Sequence, residues 1–178
     1  MIARGRAVYT FPMAIKDGLL PEFDHEMGTT RRLLERVPEA DLAWKPHPRS
    51  FSLGQLASHI ANIPTWADAA LDLTVFDLAT LGDDARPKQP AGMAPILAAF
   101  DNNVKKARAK IDAQLDAALF APWTLKKDGA EVFTLPKVAV LRSFIMNHLI
   151  HHRGQLSVYL RLREVPLPAI YGPTADEG

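Results

Sequence analysis

The hydrophobic residues of this chain recur at helical spacing in four separate segments. Apolar side chains three or four positions apart form one stripe on an α-helix, and that stripe has to be buried against another element. The pattern predicts amphipathic helices over residues 19–37, 53–73, 93–119 and 136–163. Four such helices bury their stripes against one another in an antiparallel bundle, so we expect an all-α four-helix bundle.

Local signals indicate where these helices begin, bend and connect. Ser52 and Gln55 match a capping box at the start of the second helix. Pro64 should kink that helix because proline lacks an amide donor and crowds the preceding turn. Residues 77–92 carry prolines, glycine and charges, which predicts a long connection. Asp128–Gly129 lies between two short β-prone runs, which predicts a small β-hairpin before the last helix.

The length of the chain, 178 residues, fits one domain of ordinary size. We expect a single domain over residues 1–178, with its core at about 19–164. Residues 165–178 contain prolines and show little periodicity. They predict a C-terminal coil tail that lies along the surface or is mobile.

The composition excludes several classes of function. The chain has no cysteine, which removes disulfides, thiolate ligands and cysteine nucleophiles. Its formal net charge of +1 favours neither nucleic acid nor an acidic membrane surface as a partner. No stretch approaches the roughly 20 apolar residues that span a bilayer, and the N-terminus lacks the pattern of a signal peptide. We therefore expect a cytoplasmic protein with no nucleic-acid or membrane partner.

Three of the six histidines lie close together in the fourth segment. His148 and His152 are four positions apart, about 40° around a helix axis, so their imidazoles leave the same face. Both fall on the apolar stripe, where each ring needs partners for both nitrogens. A divalent metal with a hydrogen-bond acceptor behind each ring supplies them. The alternative is a pair of ordinary hydrogen-bonded histidines.

A metal site also needs a ligand from another segment, and His59 is the best candidate. It lies in the middle of the apolar stripe of the second helix. A lone histidine there is more often a core residue, but three histidines would leave one coordination position open, as catalytic zinc sites do. Glu22, Asp24 and Glu26 of the first helix are the competing third ligands.

Other residues near the histidine pair are weaker candidates. His151 points to the flank of the stripe, behind the ligands or toward solvent. Gln155 and Tyr159 follow at about one and two turns and could orient a substrate, as could Trp44 in a proline-rich loop, although packing explains all three as well. Glycine inside a helix costs about 1 kcal/mol of stability relative to alanine. Gly154 therefore indicates close approach of another helix or of a bound group, and packing against another helix is the preferred explanation.

Several motifs together resemble the DinB/YfiT-like family. They are Trp-Lys-Pro-His-Pro at 44–48, the segment 52–59 that ends in His59, and Asn-His-Leu-Ile-His-His-Arg-Gly-Gln-Leu at 147–156. The similarity extends over about 19–177, and the combination of the last two motifs is its most specific part. The resemblance implies a four-helix bundle with an up-down-down-up order.

The resemblance also implies a divalent metal, zinc or nickel, on three histidines. His59 matches the ligand that the family carries on its second helix, and His148 and His152 match the pair on its fourth. The position of His151 is filled more freely in the family. Its members commonly form homodimers, and the characterised ones include thiol-dependent transferases and isomerases that use bacillithiol or mycothiol.

Three functional hypotheses follow. In the first, the bound cation activates a thiol or a water that attacks a small-molecule electrophile, and the family favours a thiol-dependent S-transferase over a metal-dependent hydrolase. In the second, the chain is a non-catalytic protein of stress physiology that binds a metal or a small ligand. In the third, the histidines are core residues of an interaction module. The sequence assigns no catalytic residue beyond the candidate metal ligands.

Overall fold

The computed structural model describes residues 13–81 and 88–177. The protein is mostly helical and also carries a small three-stranded sheet, which exceeds the single hairpin that the sequence predicts. The helices in chain order are α1 Ile15–Leu34, α2 Leu53–Asn62, α3 Trp66–Asp72, α4 Met93–Asp112, α5 Asp116–Phe120, α6 Lys137–Val140 and α7 His148–Leu162. The strands are β1 Val75–Asp77, β2 Pro122–Lys127 and β3 Ala130–Pro136.

Helix α1 begins one turn before the predicted start at residue 19. The carboxylate of Asp116 accepts a hydrogen bond from the first backbone amide, that of Ile15, at 3.0 Å. The carboxylate of Asp17 also accepts a hydrogen bond, from the nearby backbone amide of Ala14, at 3.0 Å. These acceptors satisfy amides that a helix start leaves unpaired. The first of them comes from a residue 101 positions away, which no local pattern reveals.

The second predicted helix is interrupted at the proline. The capping box is present, because the Ser52 hydroxyl accepts from the Gln55 amide at 3.1 Å and the Gln55 side chain accepts from the Ser52 amide at 2.9 Å. Helix α2 then ends at Asn62, a 3₁₀ turn covers Ile63–Thr65, and α3 follows. The missing amide of Pro64 explains the interruption.

The third predicted helix, over residues 93–119, is interrupted in its last quarter. Helix α4 ends at Asp112, and the backbone of Leu115 is extended before α5 begins. The prediction placed Leu115 on the buried stripe, but its side chain is 76% exposed. A helix that continued through Leu115 would therefore gain no burial of this side chain.

The last predicted helix, over residues 136–163, is one helical run with a change of pitch. Pro136 precedes α6, a π-helical segment covers Leu141–Asn147, and α7 continues to Leu162. A π-helical turn admits an extra residue and is found mostly at functional sites. This one ends directly before His148.

Strands β2 and β3 form the predicted hairpin, and β1 extends it into a sheet. The turn residues Asp128 and Gly129 have φ of 52° and 80°, as an Asp-Gly hairpin turn requires. Strand β1 pairs with β2 in parallel. Its last residue, Asp77, accepts hydrogen bonds from the amides of Asp128 and Gly129 at 3.1 and 2.7 Å. The sequence prediction treated Asp77 as the start of a connection and missed this strand.

Helices α1 and α2 both pack against α4 and against α7. The buried apolar residues of the described ranges extend from Leu19 to Leu160. The aromatic side of the core lies at the sheet, where Trp123 is 1% exposed and donates its indole N–H to the carbonyl of Ala69 at 2.9 Å. The core therefore joins the helices and the sheet.

A buried ion pair links α7 to α1. The guanidinium of Arg153 is 2.7 Å from the Glu26 carboxylate, and the two side chains are 2% and 7% exposed. Arg153 also donates to the backbone carbonyl of Glu26 and to the Thr30 hydroxyl. The Tyr171 hydroxyl lies 2.6 Å from Arg153 and 2.9 Å from Glu26. Every charged group in this network has a partner, as burial demands.

The C-terminal residues up to 177 form the coil that the sequence predicts, and they lie against the body of the protein. Tyr171 contacts the buried pair of Arg153 and Glu26. The Glu177 carboxylate accepts from Arg36 at 2.6 Å. These contacts hold the coil along the surface of α1 and α7.

Two parts of the sequence predictions fall outside the described residues. They are residues 1–12 and residues 82–87, the latter being six of the sixteen residues of the predicted connection over 77–92. The single-domain assignment of residues 1–178 stays a prediction. In the two ranges that the structure describes, no helix is both long and apolar enough to cross a membrane.

Breaking the buried ion pair should be costly. Arg153→Met leaves the Glu26 carboxylate buried without its cation, and we expect the free energy of unfolding to fall by about 3–5 kcal/mol in urea denaturation. Arg142→Met is the matched control, because the pair of Arg142 with Glu22 is 48% and 36% exposed. That variant should lose less than about 1 kcal/mol. Equal losses in the two variants would contradict a special role for the buried pair.

Candidate metal centre

Helix α2 carries His59 toward the interior of the helical assembly. Its neighbours on the same face, Leu56, Ile60 and Ile63, are each no more than 1% exposed. They anchor α2 in the core, so His59, which is half-buried, has a fixed direction. The Phe51 ring lies 5.8 Å from the His59 ring, centroid to centroid, and covers one side of it.

Helix α7 carries His148 and His152 on one face, as their spacing predicts. Both side chains are half-buried, and their ring centroids are 4.7 Å apart. Leu149 and Leu156 of the same helix are fully buried and hold it in the core. Because α7 packs against α2, this face meets His59.

The three predicted ligands converge on one point. The Nε2 atom of His148 is 2.9 Å from Nε2 of His152 and 3.3 Å from Nε2 of His59. One ring nitrogen from each histidine lies within 4.8 Å of the others. Among the residues that the structure describes, this is the only group of three or more His, Cys, Asp or Glu side chains with such spacing.

Hydrogen bonds behind the rings determine which nitrogen carries the proton. Nδ1 of His152 is 2.8 Å from Oε1 of Gln155, which can only accept. A hydrogen bond with the backbone of Phe144 acts to raise the pKa of His148, against the larger effect of burial. This is the effect of a donating ring N–H, and we assign the donor to Nδ1 because Nε2 faces the other rings. In their neutral forms both histidines therefore direct the lone pair of Nε2 into the cluster, and metal-ligating histidines are held in this manner.

The surroundings favour neutral imidazoles. Burial, with smaller contributions from His152 and His148, lowers the pKa of His59 to about 4. Burial also lowers the pKa of His148 and of His152, against the opposing effect of their hydrogen bonds to Phe144 and Gln155. Neutral rings keep their lone pairs available at neutral pH, which is the form that binds a metal.

The carboxylates considered as third ligands lie elsewhere. Glu22 pairs with Arg142 and Asp24 with Arg108 on the surface. Glu26 is buried in the ion pair with Arg153. The competing prediction of a carboxylate ligand from the first helix is therefore wrong, because α1 presents these groups to arginines.

Among the weaker candidates, Gln155 forms a direct hydrogen bond with the cluster. Its amide nitrogen is 3.1 Å from Nε2 of His151 while its oxygen faces His152. His151 is exposed and stands beside His152, with ring centroids 4.9 Å apart. Gln155 thus orients a candidate ligand. Its spacing of three from His152 placed it on the right face, but the sequence could not choose between a ligand partner and a substrate contact.

Trp44 and Tyr159 pack against each other, with ring centroids 5.8 Å apart in an edge-on arrangement. The Tyr159 hydroxyl donates to the carbonyl of Phe51 at 3.4 Å. They therefore support the loop that carries Phe51, and their predicted role in substrate binding stays a prediction. Gly154 faces open space, since a Cβ there would have no atom within 4 Å, so its predicted packing against another helix is wrong.

The chain is mostly helical and brings three histidine ring nitrogens together between two helices. Comparison with known proteins identifies the family. The model of the DinB superfamily matches residues 22–156, a range that includes His59, His148 and His152. The chain belongs to the DinB superfamily.

Relatives and solved structures agree with this assignment. The uncharacterised protein YrdA of Bacillus subtilis (strain 168) is 23% identical over 164 residues, which covers 90% of each chain. A crystal structure of a DinB-like protein from Bacillus cereus ATCC 10987 superposes with a TM-score of 0.67 at 22% identity, covering 90% of this chain and 100% of that one. The DinB-like protein YjoA from Bacillus subtilis gives 0.65 at 18% identity, covering 87% and 99%. The two structures establish the shared fold.

The lowered pKa values predict how stability depends on pH. An unfolded chain protonates a histidine near 6.5, whereas folded His59 resists protonation down to about 4. We therefore expect chelator-treated protein to lose stability as the pH falls from 6.5 toward 4, because the unfolded state then binds more protons. Urea midpoints at several pH values measure this loss. His59→Gln should show a weaker pH dependence, and an unchanged dependence in that variant would contradict the assignment.

Proposed function

We propose that His59, His148 and His152 hold one divalent cation, zinc or nickel, and that the protein is a metal-dependent enzyme. The observation that carries the proposal is the orientation of His148 and His152. Both are held from behind as hydrogen-bond donors, so two lone pairs face each other with 2.9 Å between the nitrogens. Such an arrangement is repulsive unless a cation or a proton lies between the rings. Membership of the DinB superfamily supports the same conclusion.

The donor set is suited to a borderline-soft cation with an open coordination position, because three imidazoles without a carboxylate are typical of catalytic zinc sites. When bound, the cation supplies Lewis acidity that lowers the pKa of a thiol or a water at that position. The residues of the chain keep the ligands neutral by burial and hold His152 in one orientation through Gln155. The core contacts of α2 and α7 keep both ligand-bearing faces in place.

We further propose that the nucleophile is the thiol of a low-molecular-weight cosubstrate and that the reaction is S-transfer. The chain contains no cysteine, so the sulfur has to arrive with the cosubstrate. The sulfur forms a bond to the electrophilic atom of a small molecule, the leaving group departs with its electron pair, and the thiol proton passes to solvent. Hydrolysis differs only in that water takes the place of the thiol.

The remaining expectations from the family are part of this proposal. They are an up-down-down-up four-helix bundle, a homodimer and a cytoplasmic location. The packing of α1 and α2 against both α4 and the last helical run supports the bundle. In that arrangement the four helices of the bundle are α1, α2, α4 and the helical run that ends with α7. Helices α3 and α5 and the sheet are additions to the bundle.

Metal analysis of freshly purified protein tests the site. We expect about one zinc or nickel ion per chain, because the three nitrogens converge on a single position. His59→Ala and His148→Ala should lose the metal, whereas His25→Ala should keep it, since His25 is exposed on α1 and outside the cluster. Metal retained in both cluster variants would overturn the proposed site.

Turnover of a chemical panel then tests the reaction. The protein is incubated with 1-chloro-2,4-dinitrobenzene and with 4-nitrophenyl acetate, each with and without cysteine as the thiol. Metal-dependent consumption that requires the thiol supports S-transfer, and consumption with water alone indicates a hydrolase. A protein that binds one metal ion per chain but consumes neither these compounds nor those of a wider panel would be a binding protein. That result would contradict the enzymatic assignment.

The hydrogen bond behind His152 should tune metal affinity. Gln155→Leu removes the acceptor at Nδ1, and we expect the affinity for zinc to fall by about 10- to 100-fold, as for other partners of metal ligands. Gln155→Glu is the matched variant, because its carboxylate can still accept from Nδ1. It should bind zinc at least as well as the natural protein in a competition titration. Equal losses in both variants would show that Gln155 acts only in packing.

A further inference from the structure

A cavity of about 540 Å³ opens beside the histidine cluster. Its apolar wall comes from three places in the fold: α3, the 3₁₀ turn Leu78–Leu81 that follows β1, and the π-helical segment before α7. The side chains of this wall are Trp66, Leu78, Leu81 and Phe144. We call this space the apolar cavity. Its volume lies within the range of about 300–1,000 Å³ that small-molecule sites have.

The aromatic part of the wall is held in position by the core. The rings of Trp66 and Phe144 lie 6.1 Å apart with their planes at 41°. Phe144 also contacts the buried Trp123 at 6.1 Å and Phe133 at 5.7 Å. Because these rings support one another, the wall presents fixed aromatic faces and edges, which favour another aromatic ring.

The polar side chains that line the apolar cavity are those of Ser143, Asn147, His148 and His151. Ser143 and Asn147 line it, one helical turn apart and both exposed. Among the described residues, those that line the cavity include no Lys, Arg, Asp or Glu side chain. An ionised ligand would lose hydration there without gaining a partner of opposite charge, whereas an uncharged polar group could bind the hydroxyl or the amide.

One side chain belongs to both the apolar cavity and the histidine cluster. The ring of His148 lines the cavity, and its Nε2 faces His152 and His59 at 2.9 and 3.3 Å. A molecule in the cavity therefore contacts one of the three candidate metal ligands.

We propose that the apolar cavity binds the body of the electrophilic substrate and that this substrate is an uncharged molecule with an aromatic ring. Trp66 and Phe144 contact the ring, Ser143 and Asn147 bind a neutral polar substituent, and the reacting atom lies toward His148. The chemical step rests on the proposed function, but the binding preference does not, because it depends only on the wall of the cavity.

Two fluorescent probes that share one ring system test the binding preference. N-phenyl-1-naphthylamine is uncharged, and 8-anilino-1-naphthalenesulfonate carries a sulfonate on the same framework. We expect the uncharged probe to bind the natural protein at least tenfold more tightly in fluorescence titrations. Equal or tighter binding of the sulfonate would overturn the proposal, and this comparison needs no variant.

A variant locates the probe. Ser143→Trp places a large side chain at the cavity and should weaken binding of the uncharged probe at least tenfold. Asn102→Trp is the matched control, because Asn102 is an exposed position of α4 that does not line the cavity. Unchanged binding to Ser143→Trp, with an unaltered thermal melt, would show that the probe binds elsewhere and would overturn the proposal.

Running the titration beside the metal analysis of the freshly purified protein separates this inference from the proposed function. Selective binding of the uncharged probe to a protein whose metal analysis is negative supports the cavity and overturns only the metal site. Stoichiometric metal on the three histidines without probe binding overturns the cavity and leaves the metal site standing.

Discussion

The helical run that ends with α7 is held by α1 on one side and by α2 on the other, and the geometry of the site depends on this restraint. Arg153 reaches α1 and pairs with Glu26 in the interior, while its neighbour His152 faces His148 and the cluster with His59. Consecutive residues on a helix point about 100° apart. The contact of Arg153 with Glu26 therefore fixes the rotation of α7 about its axis, and this rotation directs His152 toward the cluster. A buried ion pair is costly to break. The pair therefore limits rotation of α7 and keeps the histidines directed at α2.

The burial of the three histidines between these helices also determines the protonation state of their rings. Burial penalises imidazolium, which lowers the pKa of His59, His148 and His152. The hydrogen bonds behind His148 and His152 then direct both lone pairs inward. Rings that are neutral, close and oriented as acceptors are what a candidate cation site requires. The apolar cavity meets this site at His148, so one helix positions the candidate ligands and part of the candidate substrate pocket.

Much of the fold could be predicted because its signals are local. The capping box at Ser52, the interruption at Pro64 and the turn at Asp128–Gly129 all depend on residues close in sequence, and the structure contains each of them. The misses depend on distant partners. Strand β1 exists because β2 pairs with it and Asp77 accepts from the hairpin turn, and no short-range pattern shows either. Leu115 fits a helical stripe by spacing, yet it is exposed because nothing packs over it.

For the site, the sequence by itself determined the candidate ligands. A spacing of four places His148 and His152 on one helix face whatever surrounds them, and the apolar stripe of the second helix points His59 inward. Only the tertiary structure decided that these two faces meet, since the relative position of two helices depends on packing across the whole core. It also decided that Glu26 pairs with Arg153 and that Gln155 orients His152. A side chain's partner depends on what folding brings within about 3 Å of it, and spacing along one helix cannot specify that.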